Sequence, residues 1–159
     1  MQYGIYRCKG RKILLNSLPN QEFHTLKGYQ LNNDEKITEA MEDYLEMICR
    51  HIHKSGFVRV NFLANQLNVR PSSSSKMMNK LKELGLIEAE RYGIIIMTPK
   101  GMEIGQYLLW RHDVLSRFFC LLNGSDSELQ QVEQVEHYIN KETVRNLERL
   151  CGKMESGFK

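Results

Sequence analysis

The amino-acid sequence predicts a mainly α-helical fold with one small β-hairpin. Apolar residues recur at helical spacing from about residue 38 onward. Only two short runs, Leu86–Glu90 and Ile94–Met97, have the composition of strands. Of the 159 residues, 42% are hydrophobic and 26% are charged, which is typical of a globular protein. A chain of this length forms one domain, or one small domain with an appendage.

The N-terminal segment precedes the first predicted helix. Residues 1–36 show no sustained periodicity and are strongly basic over the first dozen positions, so we interpret them as an arm. Such an arm either contacts DNA phosphates or a minor groove, or is a disordered tail. Thr38 is a candidate N-cap for the first helix, which continues to about Lys54 and ends at Ser55-Gly56.

Two short helices joined by a tight turn come next. The first spans about Asn61–Leu67, where the small Ala64 allows a second helix to cross closely. Asn68 tolerates the left-handed backbone of the turn, and Pro71 suits the first position of the second helix. This pattern indicates a helix-turn-helix. The inward stripe of the second helix consists of Met77, Met78, Leu81 and Leu84.

The hairpin that follows the second helix completes the pattern of a winged helix-turn-helix, with Arg91 at its turn. Three further helices are predicted, at about Pro99–Leu122, Ser127–Ile139 and Lys141–Lys153. The chain therefore divides into an arm, a winged helix-turn-helix and a helical domain. Their predicted boundaries are residues 1–36, 37–98 and 99–159.

The charge of the chain is unevenly distributed. The net charge is only +3, but residues 47–82 contain seven Lys or Arg residues and no Asp or Glu. A solvated basic face is one interpretation, and contact with double-stranded DNA is the other, which the predicted wing favours. Long cations suit phosphates, and short polar groups suit base edges. The candidate DNA contacts are Arg59, Arg70, Ser72, Ser73, Ser74, Lys76, Asn79, Lys80 and Arg91.

Cysteine spacing and hydropathy exclude several classes of protein. Cys8, Cys49, Cys120 and Cys151 are far apart and form no Cys-x-x-Cys pair. We therefore expect free, mostly buried thiols, not a thiolate zinc site or a disulfide framework. No apolar run approaches the roughly 20 residues that cross a bilayer, and no signal peptide is evident, so we expect a cytoplasmic protein without membrane contact.

Six potential metal ligands lie in three clusters that each have the spacing of one helix face. The six residues are Asp43, Glu46, His112, Glu133, Glu136 and His137. Spacing alone leaves three interpretations open: a solvated acidic face, a hydrolase centre and a regulatory metal site. A dication would relieve the repulsion between carboxylates on one face. The first interpretation is the most common for such weak patterns.

Several longer motifs help to decide among these three interpretations of the six residues. They are Met-Glu-Asp-Tyr-Leu-Glu at 41–46, Val-Arg-Pro-Ser-Ser at 69–73, Leu-Gly-Leu-Ile at 84–87, Thr-Pro-Lys-Gly at 98–101, Arg-His at 111–112 and Val-Glu-x-x-Glu-His at 132–137. Through them the chain resembles the metal-dependent repressors related to the diphtheria toxin repressor. It is most similar to their manganese-sensing branch, the manganese transport regulators. The resemblance covers about residues 41–150. This sequence differs from the family in its long N-terminal arm, in its early C-terminus and at Tyr138, where many manganese sensors carry a second histidine.

The resemblance implies two metal ions per subunit, held by the six residues. Asp43, Glu133, Glu136 and His137 would hold one ion. Glu46 and His112 would hold the other, with Glu133 and Glu136 shared. Iron sensors of the family carry softer Met and Cys ligands at the positions of Asp43 and Glu133. A set of oxygen and imidazole ligands suits Mn²⁺, with Fe²⁺ as the alternative.

The resemblance also implies a function. It predicts a homodimeric, manganese-responsive transcriptional repressor that binds a palindromic operator and controls manganese-uptake genes, with a helical dimerisation domain after the winged helix-turn-helix. The alternatives are an iron-responsive repressor of the same family and, from a different class, a dinuclear metallohydrolase. No nucleophile or oxyanion motif is visible for the latter, so we expect no enzymatic activity.

Overall fold

The computed structural model describes residues 6–8, 11–13, 37–89 and 93–157. The chain forms two compact units, residues 1–36 and residues 37–159. In the first unit, strands β1 (Tyr6–Cys8) and β2 (Arg11–Ile13) pair antiparallel, with Arg7 opposite Lys12. The sequence did not predict this pair, because strands of three residues are too short to show a periodicity.

The second unit is built mainly of helices, as predicted. Its elements along the chain are α1 (Glu39–Ser55), β3 (Val58–Arg59), α2 (Val60–Gln66), α3 (Pro71–Glu83), β4 (Ile87–Ala89), β5 (Ile94–Met97), α4 (Pro99–Asn123), α5 (Leu129–Val135), a 3₁₀ turn (Glu136–Tyr138) and α6 (Lys141–Gly157). No helix among the described residues is long and apolar enough to cross a membrane. The mainly α prediction with a small β wing is confirmed.

The winged helix-turn-helix consists of α2, α3 and a three-stranded sheet. Asn68 lies between the two helices with φ at 50°, the left-handed conformation predicted for it. The sheet has the order β3-β5-β4, with Val58 opposite Ile95 and Ile87 opposite Met97. The strand β3 was not predicted, because two residues carry no alternation. The predicted contact Arg91 lies outside the described residues.

The packing of α1 against α4 forms the centre of the core. Leu45 and Ile48 of α1 and Leu108 of α4 are fully buried. A Cβ atom added at Gly105 of α4 would lie 2.8 Å from the Cβ atom of Cys49 on α1. The absence of a side chain at Gly105 therefore lets the two helices approach closely. Cys49 and Cys151 are buried free thiols, as predicted, and Cys120 is half-buried.

Two predictions about helices need correction. The helix predicted at about Ser127–Ile139 is shorter, because α5 ends at Val135 and the chain tightens into a 3₁₀ turn. The amide of Ile139 donates to the carbonyl of Glu136 only three residues earlier, and the next helix begins at Lys141. There is no room for another full α-helical turn between these two elements. The last helix extends to Gly157, further than predicted.

Ser74 was predicted as a DNA contact, and its burial contradicts that prediction. Its side chain is fully buried, and its hydroxyl oxygen has no hydrogen-bond partner among the described residues. Ser74 precedes Met78 by four residues and Leu81 by seven, and both of these are buried. These spacings place Ser74 on the inward face of α3.

Candidate metal centre

Three elements of the helical unit bring the predicted ligands together. The helix α1 supplies Asp43 and Glu46 from adjacent turns, α4 supplies His112, and the 3₁₀ turn supplies Glu136 and His137. Glu136 is 1% exposed, His112 5% and Glu46 8%. Buried ionisable side chains are rare unless they are paired or bind metal, so this convergence marks a site.

The ligand atoms form two groups that share Glu136. We call Asp43, Glu136 and His137 the aspartate cluster, and Glu46, His112 and Glu136 the glutamate cluster. In each cluster the ligand atoms lie within 4.8 Å of one another. His137 Nε2 lies 3.1 Å from Asp43 Oδ1, and His112 Nδ1 lies 3.0 Å from Glu136 Oε2. Both clusters offer only carboxylate oxygen and imidazole nitrogen, so the donors fit a pair of divalent cations.

Burial and mutual repulsion affect the carboxylates of the glutamate cluster. Burial raises the pKa of Glu46, and the negative charge of Glu136 raises it further. The hydrogen bond to Glu136 raises the pKa of His112, against the opposite effect of burial. Repelling carboxylates beside an imidazole are the arrangement that a bound cation would stabilise.

His137 is the most strongly perturbed group of the site. Hydrogen bonds to Asp43 and then to Glu42 raise the pKa of His137 to about 10. Burial acts to raise the pKa of Glu42, but the hydrogen bonds with His137 and Arg111 outweigh it and lower the pKa. In the metal-free protein His137 is therefore a cation held between two carboxylates at neutral pH.

Two arginines contact the carboxylates of the centre. Arg50 donates to Glu46 one helical turn earlier on α1. Arg111, whose side chain is 3% exposed, donates to Glu42 Oε2 at 2.7 Å. The sequence indicates no role for Glu42 or Arg111 beyond their place in the motifs. The only signal was a charged Arg111 next to His112 in a largely apolar helix.

Glu133 lies at the edge of the centre. Its Oε1 is 3.8 Å from His112 Nδ1, and its side chain is 54% exposed. Burial raises the pKa of Glu133, and the charge of Glu136 adds to the effect. The structure thus brings five of the six predicted ligands into the two clusters and leaves Glu133 beside them.

The predicted DNA contacts lie mainly on the exposed face of α3. Arg70 is the N-cap residue of α3, and Arg59 ends β3. No acidic residue lies in the first turn of α3, so no side-chain charge there offsets the positive end of the helix dipole at its N-terminus. The exposed candidates are Arg59, Arg70, Ser72, Ser73, Lys76, Asn79 and Lys80.

Comparison with known proteins identifies the family. Residues 36–94 match the iron dependent repressor N-terminal DNA binding domain, and residues 98–157 match the iron dependent repressor metal binding and dimerisation domain. The chain belongs to the iron-dependent repressor family. A relative from Geobacillus kaustophilus, the HTH-type transcriptional regulator MntR, is 39% identical over 104 residues, which are 65% of this chain and 74% of that protein.

Solved structures show the same fold. The chain of the manganese regulator SloR superposes with a TM-score of 0.62 at 21% identity, and IdeR of T. acidophilum with 0.61 at 23%. Each comparison covers 70% of this chain, which spans 53% of either structure. The iron-dependent repressors are transcriptional regulators, not enzymes, so the family decides against the metallohydrolase alternative.

Proposed function

We propose that this iron-dependent repressor is a manganese-responsive repressor of manganese-uptake genes that acts in the cytoplasm. The observation that carries the proposal is the sharing of Glu136 by two clusters made only of carboxylates and imidazoles. Such ligands favour Mn²⁺ over the softer ions that thiolate or thioether ligands select. SloR, whose structure has the same fold, is itself a manganese regulator. Fe²⁺ is the alternative ion, because carboxylate and imidazole sites also accept it.

In this proposal two ions bind each subunit. Asp43, Glu136 and His137 would hold one ion, and Glu46, His112 and Glu136 the other. Glu133, which is implied as a ligand by the resemblance, would turn inward to join them. When bound, the ions supply positive charge that offsets the converging carboxylates. The protein's own contribution is the close approach of α1 to α4, which the absence of a side chain at Gly105 permits and in which Glu46 Oε1 lies 3.7 Å from His112 Nδ1.

DNA binding is assigned to the winged helix-turn-helix. Residues 37–98 would form the DNA-binding domain, residues 99–159 the metal-binding and dimerisation domain, and residues 1–36 an arm. Lys76 and Lys80 would contact phosphates, and Ser72, Ser73 and Asn79 base edges; Arg59, Arg70 and Arg91 would contact the backbone. A two-fold homodimer would place two α3 helices in major grooves about 34 Å apart, or a multiple of that, so the operator would be palindromic.

The test uses Glu136→Gln, which preserves the size of the buried side chain and removes its charge. Operator duplexes are selected from random sequence in the presence of Mn²⁺, and their affinity is measured with Mn²⁺, Fe²⁺, Zn²⁺ or chelator. We expect Mn²⁺ to strengthen binding by the wild-type protein and to have no effect on the variant. Glu142→Gln, at an exposed position of α6, is the matched control. If Mn²⁺ strengthens operator binding by Glu136→Gln as much as by the wild type, Glu136 is not a ligand shared by the two ions.

A further inference from the structure

Glu42 lies among the ligands but in neither cluster. Its Oε2 lies 2.7 Å from His137 Nδ1 and 2.7 Å from a guanidinium nitrogen of Arg111. The neighbouring Asp43 faces the other nitrogen of the same imidazole, Nε2, at 3.1 Å. Each of the two carboxylates thus faces a different ring nitrogen of His137. Only Asp43 belongs to a candidate metal cluster.

The geometry decides which nitrogen of His137 is left for a ligand. An imidazole that binds metal uses one nitrogen and keeps a proton on the other. Nδ1 has two polar neighbours: the carboxylate of Glu42 at 2.7 Å and the guanidinium of Arg111 at 3.4 Å. A guanidinium can only donate, so it would require an unprotonated Nδ1, whereas the carboxylate requires a protonated one. The shorter, charge-assisted contact with Glu42 keeps the proton on Nδ1 and leaves Nε2 facing the aspartate cluster.

Arg111 prevents Glu42 from acting as a ligand itself. The guanidinium is nearly fully buried and donates to the same carboxylate oxygen that accepts from His137. Arg111 is also adjacent to His112 on α4, so its backbone is fixed by the same helix that carries a ligand of the glutamate cluster. Moving Glu42 toward the aspartate cluster would leave Arg111 as an unpaired buried charge, which is strongly unfavourable.

We propose that Glu42 is a positioning residue that selects Nε2 of His137 as the metal-binding nitrogen, and that Arg111 anchors Glu42 for this role. The proposal rests on the proposed function, because it assigns a role toward the metal. Carboxylates hydrogen-bonded to a metal-binding histidine fix the orientation of its ring and increase its basicity, and their loss typically weakens metal binding by about 10- to 100-fold.

The first experiment measures Mn²⁺ affinity from the electron paramagnetic resonance signal of the free ion. The proteins compared are wild type, Glu42→Gln, Glu42→Ala and Glu39→Gln. Glu39 is a matched control, since it lies one turn earlier on α1 and accepts a hydrogen bond from Tyr138, the residue after His137. We expect at least about tenfold weaker binding for both Glu42 variants and less than about twofold for the control. Thermal unfolding of the metal-free proteins shows whether each variant is folded.

The second experiment has a readout that a purely structural role would not change. Histidine ¹⁵N spectra of the complex with diamagnetic Zn²⁺ report which ring nitrogen of His137 carries the proton. We expect Nδ1 to be protonated in the wild type, and a mixture of the two ring states in Glu42→Ala. Zinc bound through Nδ1 in the wild type would overturn the proposal.

The remaining outcomes separate this proposal from the proposed function. Wild-type Mn²⁺ affinity in Glu42→Gln and Glu42→Ala would overturn the positioning role alone. An equal loss in Glu39→Gln would also overturn it, because the effect would then reflect the negative charge of α1 in general. Failure of the wild type to bind Mn²⁺ or Zn²⁺ at all would overturn the proposed function and, with it, any role of Glu42 toward a metal.

Discussion

At the scale of single residues, the two imidazoles of the candidate metal centre predict that metal binding depends on pH. The pKa of His137 is raised to about 10 by Asp43 and Glu42, and the pKa of His112 is raised by Glu136. A metal-binding imidazole must be unprotonated at the nitrogen that binds. In the metal-free protein, a proton therefore occupies the Nε2 atom of His137, which faces Asp43 of the aspartate cluster.

The affinity for Mn²⁺ should rise with pH through the neutral range. Below about pH 10 His137 is protonated in the metal-free protein, so binding must release its proton. Each proton released contributes a slope of about one in the logarithm of affinity against pH. Calorimetric titrations in two buffers of different protonation enthalpy should count at least one proton near neutral pH. An affinity that stays constant between mildly acidic and mildly basic buffers would refute the linkage.

The sequence indicates the candidate ligands but not the residues that support them. Asp43, Glu46, Glu136 and His137 were identified because their spacing and motifs are local. Glu42 and Arg111 are 69 positions apart in the chain, and their contact exists only because α1 and α4 pack side by side. In the sequence Glu42 is an acidic residue in the first turn of a helix, which needs no partner to be stable.

At the scale of elements, the faces of α3 determine which residues can reach DNA. Four consecutive serines, Ser72–Ser75, follow Pro71 in the first turns of α3, and because they are identical they do not themselves indicate which one faces inward. The apolar residues that follow do indicate the inward-facing serine, because Ser74 has the spacing of one helix face with Met78 and Leu81. The 3₁₀ turn that carries Glu136 is a different case, because no residue pattern distinguishes it from the last turn of an α-helix.

Lys76 and Ser74 should differ in their effect on DNA binding. Lys76 is exposed on α3, and its replacement by Ala should weaken binding and reduce the dependence of log affinity on log salt by up to about one unit. Ser74→Ala should leave that slope unchanged, because the side chain is fully buried. Fluorescence anisotropy across a series of salt concentrations measures both. A smaller slope for Ser74→Ala, or an unchanged one for Lys76→Ala, would contradict the assignment of the two faces.

The crossing of α1 and α4 should depend on Gly105. A Cβ atom there would lie 2.8 Å from the Cβ atom of Cys49, so Gly105→Ala should separate the helices and cost about 1–3 kcal/mol of unfolding free energy. Gly152→Ala is the control, since nothing lies within 4 Å of its added Cβ atom, and it should stabilise α6 by about 0.5–1 kcal/mol. Urea unfolding of the metal-free proteins measures both values. Equal effects would show that the helices do not meet at Gly105.

At the scale of the whole molecule, the two clusters join the two family domains. Asp43 and Glu46 lie in the match to the DNA-binding domain, at residues 36–94. His112, Glu136 and His137 lie in the match to the metal-binding and dimerisation domain, at residues 98–157. An ion held by ligands from both domains would limit their relative movement, which in a dimer would set the separation of the two α3 helices.

This arrangement predicts that metal and DNA strengthen each other's binding by the same factor. If Mn²⁺ favours the dimer geometry that fits an operator, linkage requires the operator to favour Mn²⁺ equally. The first factor is the ratio of DNA affinities at saturating Mn²⁺ and in chelator. The second is the ratio of Mn²⁺ affinities with and without operator, taken as the product over the four proposed sites of a dimer, because one operator binds one dimer. Both measurements need a protein concentration at which the dimer is complete, because dimerisation would otherwise add its own dependence on metal.

A duplex of scrambled sequence is the control, and it should change the Mn²⁺ affinity less than the operator does. If Mn²⁺ strengthens operator binding while the operator leaves the Mn²⁺ affinity of the two clusters unchanged, the coupled metal binds elsewhere, for example between protein and phosphate, and the proposed link between the domains is wrong.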